Sequence, residues 1–191
     1  RQMCIRDRTI TKNMRQRGGG ILDIELLDST KNIPNYYQLH VRFETANAMG
    51  ANFINSCLEQ LAQTLQNEAA IYPHFSEAEK QIEVVMSILS NYVPGSRVKA
   101  WVSCPIAELG DDGDVLAKKF VQAIEISHHN AYRAVTHNKG IMNGIDALAI
   151  ATGNDFRAVE ASIHAYAAKD GNYRGLSKTR IEKDVFWFEL E

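Results

Sequence analysis

An α+β fold is predicted for this 191-residue chain. Three observations predict it. In two early segments apolar residues recur at every second position, as a strand buried on one face requires. Elsewhere the apolar spacing changes to the three-and-four period of an amphipathic helix. The elements also come in blocks, two strands and then a helix, which gathers helices on one side of a sheet.

The elements follow in chain order. Residues 1–8 (RQMCIRDR) lead into no element and look unrelated to the rest, so an artefact or a disordered start is expected. Residues 9–17 are polar and basic and read as the end of a helix, broken by Gly18-Gly19-Gly20. In residues 21–27, Leu22, Ile24 and Leu26 share one face and Asp23 and Glu25 the other. Residues 37–44 repeat this with Tyr37, Leu39, Val41 and Phe43 against Gln38, His40, Arg42 and Glu44. A helix is expected over residues 48–67, with Ile54, Cys57, Leu58, Leu61 and Leu65 as its stripe. Ser76 and Glu79 have the spacing of a capping box for a short helix. Residues 82–90 and 97–103 read as two more strands around a Pro-Gly turn. A helix over residues 114–129 follows, with Leu116, Phe120, Ala123 and Ile124 inward.

Four strands with helices on one side are ferredoxin-like in general shape. This small domain is expected over residues 9–112, ending where Gly-Asp-Asp-Gly-Asp breaks the pattern. Residues 113–191 read as part of a larger helical or α+β domain. They offer helices over 142–151 and 155–168, the second burying Phe156, Val159, Ile163 and Tyr166, and then the start of a hairpin. That is too little to close a core alone. The last residues, VFWFELE, are strand-like and carry no stop signal, so an internal piece of a longer protein is expected.

Composition excludes several classes. A net charge of −2 gives no general affinity for nucleic acid or an anionic membrane. No apolar run approaches the roughly 18 residues of a membrane span. Cys4, Cys57 and Cys104 are isolated, so neither a disulfide framework nor a zinc knuckle is favoured, and a reducing cytoplasm is the simplest setting. His128, His129 and His137 lack a third ligand at standard spacing, so no metal is expected.

The densest chemistry lies between Arg133 and Gly144. A guanidinium, an imidazole, two amides and the Lys139 ammonium fall within twelve positions, with glycines beside them. Such a stretch can place polar groups at a helix start, where backbone N–H groups face an anion. A solvated loop before a helix fits the same residues. Asp155 is by itself an ordinary acid at a helix N-terminus. Asn47-Ala48-Met49-Gly50-Ala51-Asn52 opens the long helix of the small domain, and its first-turn amides could hold a phosphate. Asp23 stands on the non-core face of the first strand, where it could meet a ribose.

Taken together these motifs resemble a known family. AYRAVTHNKGIMNGIDA (131–147) with IATGNDFRAVEA (150–161) is similar to the class II hydroxymethylglutaryl-CoA reductases. HAYAAKDGNYRGLS (164–177) continues the likeness. NAMGAN (47–52), GGG…DIE (18–25) and ILSN (88–91) also fit, so it covers about residues 9–191 in order.

The resemblance implies a small domain that binds NADH or NADPH, inserted in a larger domain that binds the acyl-CoA. It implies a homodimer with its site between subunits, and two hydride transfers that interconvert hydroxymethylglutaryl-CoA with mevalonate and CoA. Lys139 and Asp155 match the family's catalytic lysine and aspartate, in contact with each other. Arg133 matches a residue at the substrate's free carboxylate, and Asn143 one near the reacting carbonyl. Asn91 matches a cofactor-side amide. Asn47 departs from the usual acid of the cofactor motif. The family's catalytic glutamate and histidine have no match in these residues, so no turnover is expected from them alone. Asp23 leans the cofactor choice toward NADH, because a carboxylate there repels a 2′-phosphate. Two other classes remain: a non-catalytic ferredoxin-like ligand-binding or interaction module, and another CoA-ester enzyme with a shared anion site.

Overall fold

The computed structural model describes residues 11–191; the expectations for residues 1–8, Cys4 included, lie outside the described residues. The chain divides into two compact units, one ending at Leu89 and the other running Ser90–Glu191. The division therefore falls before the boundary expected near residue 112.

The first unit holds α1 (Lys12–Gln16), β1 (Gly20–Asp28), β2 (Tyr37–Glu44) and α2 (Ala51–Ile71). β1 and β2 form an antiparallel hairpin in which Ile24 faces Val41 and Leu26 faces Leu39. A Cβ on Gly19 would lie 2.4 Å from the Glu44 carbonyl oxygen, so only glycine lets α1 feed this hairpin so closely. On β2, Leu39, Val41 and Phe43 are half-buried while His40, Arg42 and Glu44 are exposed, as alternation requires. Tyr37 departs from the expected core face and is exposed. Phe43 meets Phe53 of α2 edge to face. Cys57 and Leu61 are the most buried apolar residues of α2, within the expected stripe. On β1 the register shifts between Ile21 and Asp23, and Leu22 and Leu26, expected inside, are 67% and 65% exposed. A bulge there bends the strand and upsets a strict two-residue period.

Two further expectations fail in this unit. Ser76 and Glu79 do form the reciprocal bonds of a capping box, but only a turn follows. Residues 82–90 join no ladder. Side chains of α2 hold that segment at two points: Gln66 donates to the Ile82 carbonyl and Asn55 accepts from the Leu89 N–H. Strand propensity needs a neighbouring strand to become a strand. The only sheet among the described residues of this unit has two strands, so the four-stranded ferredoxin-like sheet is absent here.

The second unit holds β3 (Ala100–Pro105), a 3₁₀ turn (Ile106–Leu109), α3 (Gly113–His129), α4 (Ala131–Ala151), α5 (Phe156–Ala167), β4 (Ser177–Glu182) and β5 (Val185–Leu190). Its sheet has the order β3-β5-β4, all antiparallel. The strand expected over residues 97–103 is thus β3, paired with the C-terminal hairpin rather than with residues 82–90. Ile106, Ala117 and Phe186 form the core, with Cys104, Leu109, Val121 and Phe188 packed on it. Burying a side chain such as Phe186 contributes about 1.5–3 kcal/mol. On α3, Ile124 is buried as expected and Ala117 joins it, while Leu116 and Phe120 stay 47% and 42% exposed and Ala123 is exposed. Phe120 still meets Phe186 and Phe188 edge to face. An added Cβ on Gly113 would sit 2.2 Å from the Ile106 carbonyl oxygen, so glycine lets α3 start close against the 3₁₀ turn. On α5, Phe156 is exposed, and Val159, Ile163 and Tyr166 are half-buried. Among the described residues no helix is long and apolar enough to cross a membrane.

Candidate functional site

The expected helix start within residues 133–144 lies instead inside one helix. α4 begins at Ala131, where the Asn130 side chain accepts the Arg133 N–H at 3.1 Å. The cap makes the start earlier than composition suggests. Backbone N–H groups past the first turn are then spent on helix bonds, so they form no anion cradle. Gly140 and Gly144 remain in the helix although each costs roughly 1 kcal/mol relative to alanine. An added Cβ at either would meet nothing within 4 Å, so close packing does not require them.

α4 buries Ala134, Asn138, Met142 and Ala149. Lys139 and Asn143 are exposed. Their four-residue spacing stacks them on one side of the helix. Arg133 is six residues before Lys139, about 120° round the helix and about 9 Å along it. Lys139 and Asn143 are therefore brought together, and Arg133 looks elsewhere.

Asp155 caps α5. Its Oδ1 accepts the N–H groups of Arg157 at 3.1 Å and Ala158 at 3.3 Å, and the Arg157 Nε donates to it at 3.4 Å. The Ala158 N–H holds this carboxyl below the usual range against an opposing desolvation, and the Arg157 side chain adds to the lowering. The expected contact with Lys139 is not formed. Lys139 precedes the end of α4 by twelve residues, about 18 Å of helix. Local capping won the carboxylate.

A buried polar cluster went unrecognised in the sequence. Asn138, Ser127 and Ser177 are fully buried. Asn138 donates to the Arg174 carbonyl at 2.9 Å and accepts the Leu176 N–H at 3.0 Å. The Gly175 N–H donates to the Ser127 carbonyl at 3.0 Å. A Cβ on Gly175 would lie 2.1 Å from the Ser127 Oγ. His128 Nε2 donates to the Ser177 carbonyl at 2.9 Å, and His137 Nε2 lies 2.6 Å from the Ser177 Oγ. Residues 174–177 are thus strapped to α3 and α4. Two of the three histidines weighed as metal ligands are spent on this strap. Burial first, then Arg133 and His128, pushes the His137 imidazole below its ordinary pKa. No spacing rule reveals such a cluster, because its partners are backbone groups some forty residues apart.

In the first unit, Asn47 and Met49 are exposed in the turn before α2. Gly50 takes a left-handed φ of 74°, and a Cβ there would press on Thr45 at 2.7 Å. No side chain caps α2, and Ala51 and Asn52 open its first turn. Asp23 is exposed and ion-paired with Arg42 across the hairpin. That guanidinium holds the Asp23 carboxyl below its ordinary range. Asn91 is exposed and belongs to the second unit.

The family model described as hydroxymethylglutaryl-coenzyme A reductase matches residues 3–191. A probable 3-hydroxy-3-methylglutaryl-coenzyme A reductase of Borreliella burgdorferi is 39% identical over 184 residues, which are 94% of this chain and 39% of that protein. A 3-hydroxy-3-methylglutaryl-coenzyme A reductase of Archaeoglobus fulgidus is 34% identical over 87% of this chain and 35% of its own. A Streptococcus pneumoniae reductase structure superposes with a TM-score of 0.82 at 36% identity, over 99% of this chain and 49% of that one. Another from that organism, a class II enzyme described as bound to NADPH in open conformations, gives 0.81 at 35% identity, over 99% of this chain and 49% of that one. The chain thus spans well under half of those two curated relatives and about half of the solved chains.

Proposed function

Because this chain belongs to the hydroxymethylglutaryl-coenzyme A reductase family, we propose that it is part of a class II, cytoplasmic, homodimeric enzyme that interconverts hydroxymethylglutaryl-CoA with mevalonate and CoA. The nicotinamide cofactor supplies or accepts the hydride in each of two steps. The uncapped start of α2 fits its phosphates: no side chain caps its first-turn N–H groups, and Gly50 lets the chain approach closely. Residues 47–52 then hold the cofactor in the first unit, with Asp23 and Arg42 at the adenine ribose. Either NADH or NADPH fits such a place. Asp23 favours NADH and its partner Arg42 opposes that preference.

In the second unit Lys139 is the group proposed to act on the thioester. Hydride addition turns a carbonyl oxygen into an oxyanion, and a fixed ammonium stabilises the charge as it develops. Asn143, stacked beside it, hydrogen-bonds the same region. Arg133 takes the substrate's free carboxylate from a different side of α4. Asp155 enters as the carboxylate that steadies Lys139. In this conformation it is engaged by Arg157 and α5, so the contact with Lys139 requires Asp155 to leave that cap.

The carrying observation is the exposed Lys139–Asn143 step, two catalysis-grade side chains stacked on one face of a capped helix. The alternative of a plain ligand-binding module leaves that step without a use. The test is Lys139→Met in the full-length protein. We expect kcat to fall on the order of 100- to 1,000-fold, the scale for losing one oxyanion donor, with KM for the CoA ester nearly unchanged. An unchanged kcat overturns the assignment. Residues 1–191 expressed alone should show no turnover with the CoA ester and either cofactor, because the family's glutamate and histidine have no match among them.

A further inference from the structure

We infer that Asn138 is a positioning residue that sets the direction in which Lys139 leaves α4; this rests on the reading of Lys139 given above. The other residues that α4 buries are Ala134, Met142 and Ala149, two methyl groups and a flexible thioether. Apolar contacts of this kind are non-directional, and a helix resting on them alone can roll or slide. Asn138, immediately before Lys139, supplies the two directional bonds they lack, beside the single His137–Ser177 bond. Its side chain is fully buried. Its amide nitrogen donates to the Arg174 carbonyl at 2.9 Å while its amide oxygen accepts the Leu176 N–H at 3.0 Å. Two hydrogen bonds of opposite sense, to residues two apart on one segment, fix both the roll of the helix and its position along that segment, because each bond weakens steeply off line.

The receiving segment is itself held. Gly175, between the two bonded residues, donates to the Ser127 carbonyl of α3. An added Cβ there would come within 2.1 Å of the Ser127 Oγ, so the strap cannot settle elsewhere with a larger residue. Ser177, next along, is met by His128 and His137. The amide therefore anchors α4 to a fixed point. Lys139 follows in sequence and so emerges about 100° round the helix from that anchor.

A group that acts through Lys139 affects the transition state and not substrate capture. In the full-length enzyme, Asn138→Ala should lower kcat by about 10- to 100-fold, since a displacement of about 1 Å can cost on the order of 100-fold. KM for the CoA ester should change less than about twofold. In a Lys139→Met background the same change should have little further effect on kcat, because its route is already cut. Asn138→Ser, which keeps one hydroxyl for the Leu176 N–H, is the second variant and is read in the same way if the alanine variant does not fold. A folded variant with wild-type kcat, or one that loses as much kcat in the Lys139→Met background as alone, overturns the inference while leaving the role of Lys139 standing. Wild-type kcat in Lys139→Met alone overturns that role and the inference with it.

Discussion

His137 Nε2 lies 2.6 Å from the Oγ of Ser177, a serine with no exposed surface. The imidazole is held below its ordinary pKa of 6.5 mainly by burial, with Arg133 and His128 adding to the effect. A base with a lower pKa folded than unfolded gives full stability where both states are neutral. As pH falls through about 6.5 the unfolded chain takes up the proton first, and stability declines until the folded pKa is reached. The urea midpoint should therefore fall between pH 7.5 and pH 5.5, and His137→Gln should flatten that fall. An equal slope in the variant would assign the titration to another group.

What was legible in the sequence was local. The alternation of Leu39, Val41 and Phe43 and the stripe through Cys57 and Leu61 appear as expected, because period alone decides them. The last hairpin also forms where a strand start was expected. Pairing was not legible. Nothing in residues 97–103 says that they join β5 and not residues 82–90, since both choices satisfy the same propensity. Nor did the glycines around Lys139 end the helix, because the Asn130 cap and the buried stripe of α4 outweigh two weak positions. Lys139 and Asn143 share a face by helical arithmetic. The competition for Asp155 between Lys139 and the α5 N-terminus is decided by where the two helices lie in space, which no local spacing encodes.

The Asp23–Arg42 pair predicts the direction of cofactor choice. The carboxylate is held ionised by its guanidinium partner, so it is charged at every physiological pH. It accepts a ribose 2′-hydroxyl and repels a 2′-phosphate, whereas arginine binds the phosphate. In the full-length enzyme Asp23→Ala should lower the ratio of kcat/KM for NADH over NADPH by about tenfold, one pair of charges' worth of discrimination. Arg42→Ala should raise it. Equal ratios in wild type and both variants would remove this pair from the cofactor site.

Gly140 and Gly144 sit in open space inside α4. Alanine at both should stabilise the helix, by up to about 1 kcal/mol at each position on propensity alone. Lys139 and Asn143 act from one face of the intact helix, so the stiffer helix should keep its turnover. The double variant is thus expected to melt higher with kcat within about twofold of wild type. A kcat that falls by about tenfold as the melting temperature rises would mean that catalysis needs α4 to open at these glycines.

Asp155 has two uses that one pair of substitutions separates. As a cap it needs only an oxygen that accepts the N–H groups of Arg157 and Ala158, and asparagine provides one. As the partner of Lys139 it needs a negative charge, which asparagine lacks. Asp155→Asn should therefore keep the melting temperature close to wild type while lowering kcat of the full-length enzyme on the order of 100-fold, the scale of losing a positioned charged group. Asp155→Ala should lower both, since the cap goes with the charge. The pH dependence adds a second reading. The carboxyl lies below its ordinary range because the α5 N–H of Ala158 binds its charged form, so its share of stability is present at neutral pH and is lost as pH drops below about 4 through the folded pKa. Asp155→Asn should abolish that acid-side loss. If kcat survives in Asp155→Asn, the residue is a helix cap and nothing more, and the steadying of Lys139 must come from elsewhere in the protein.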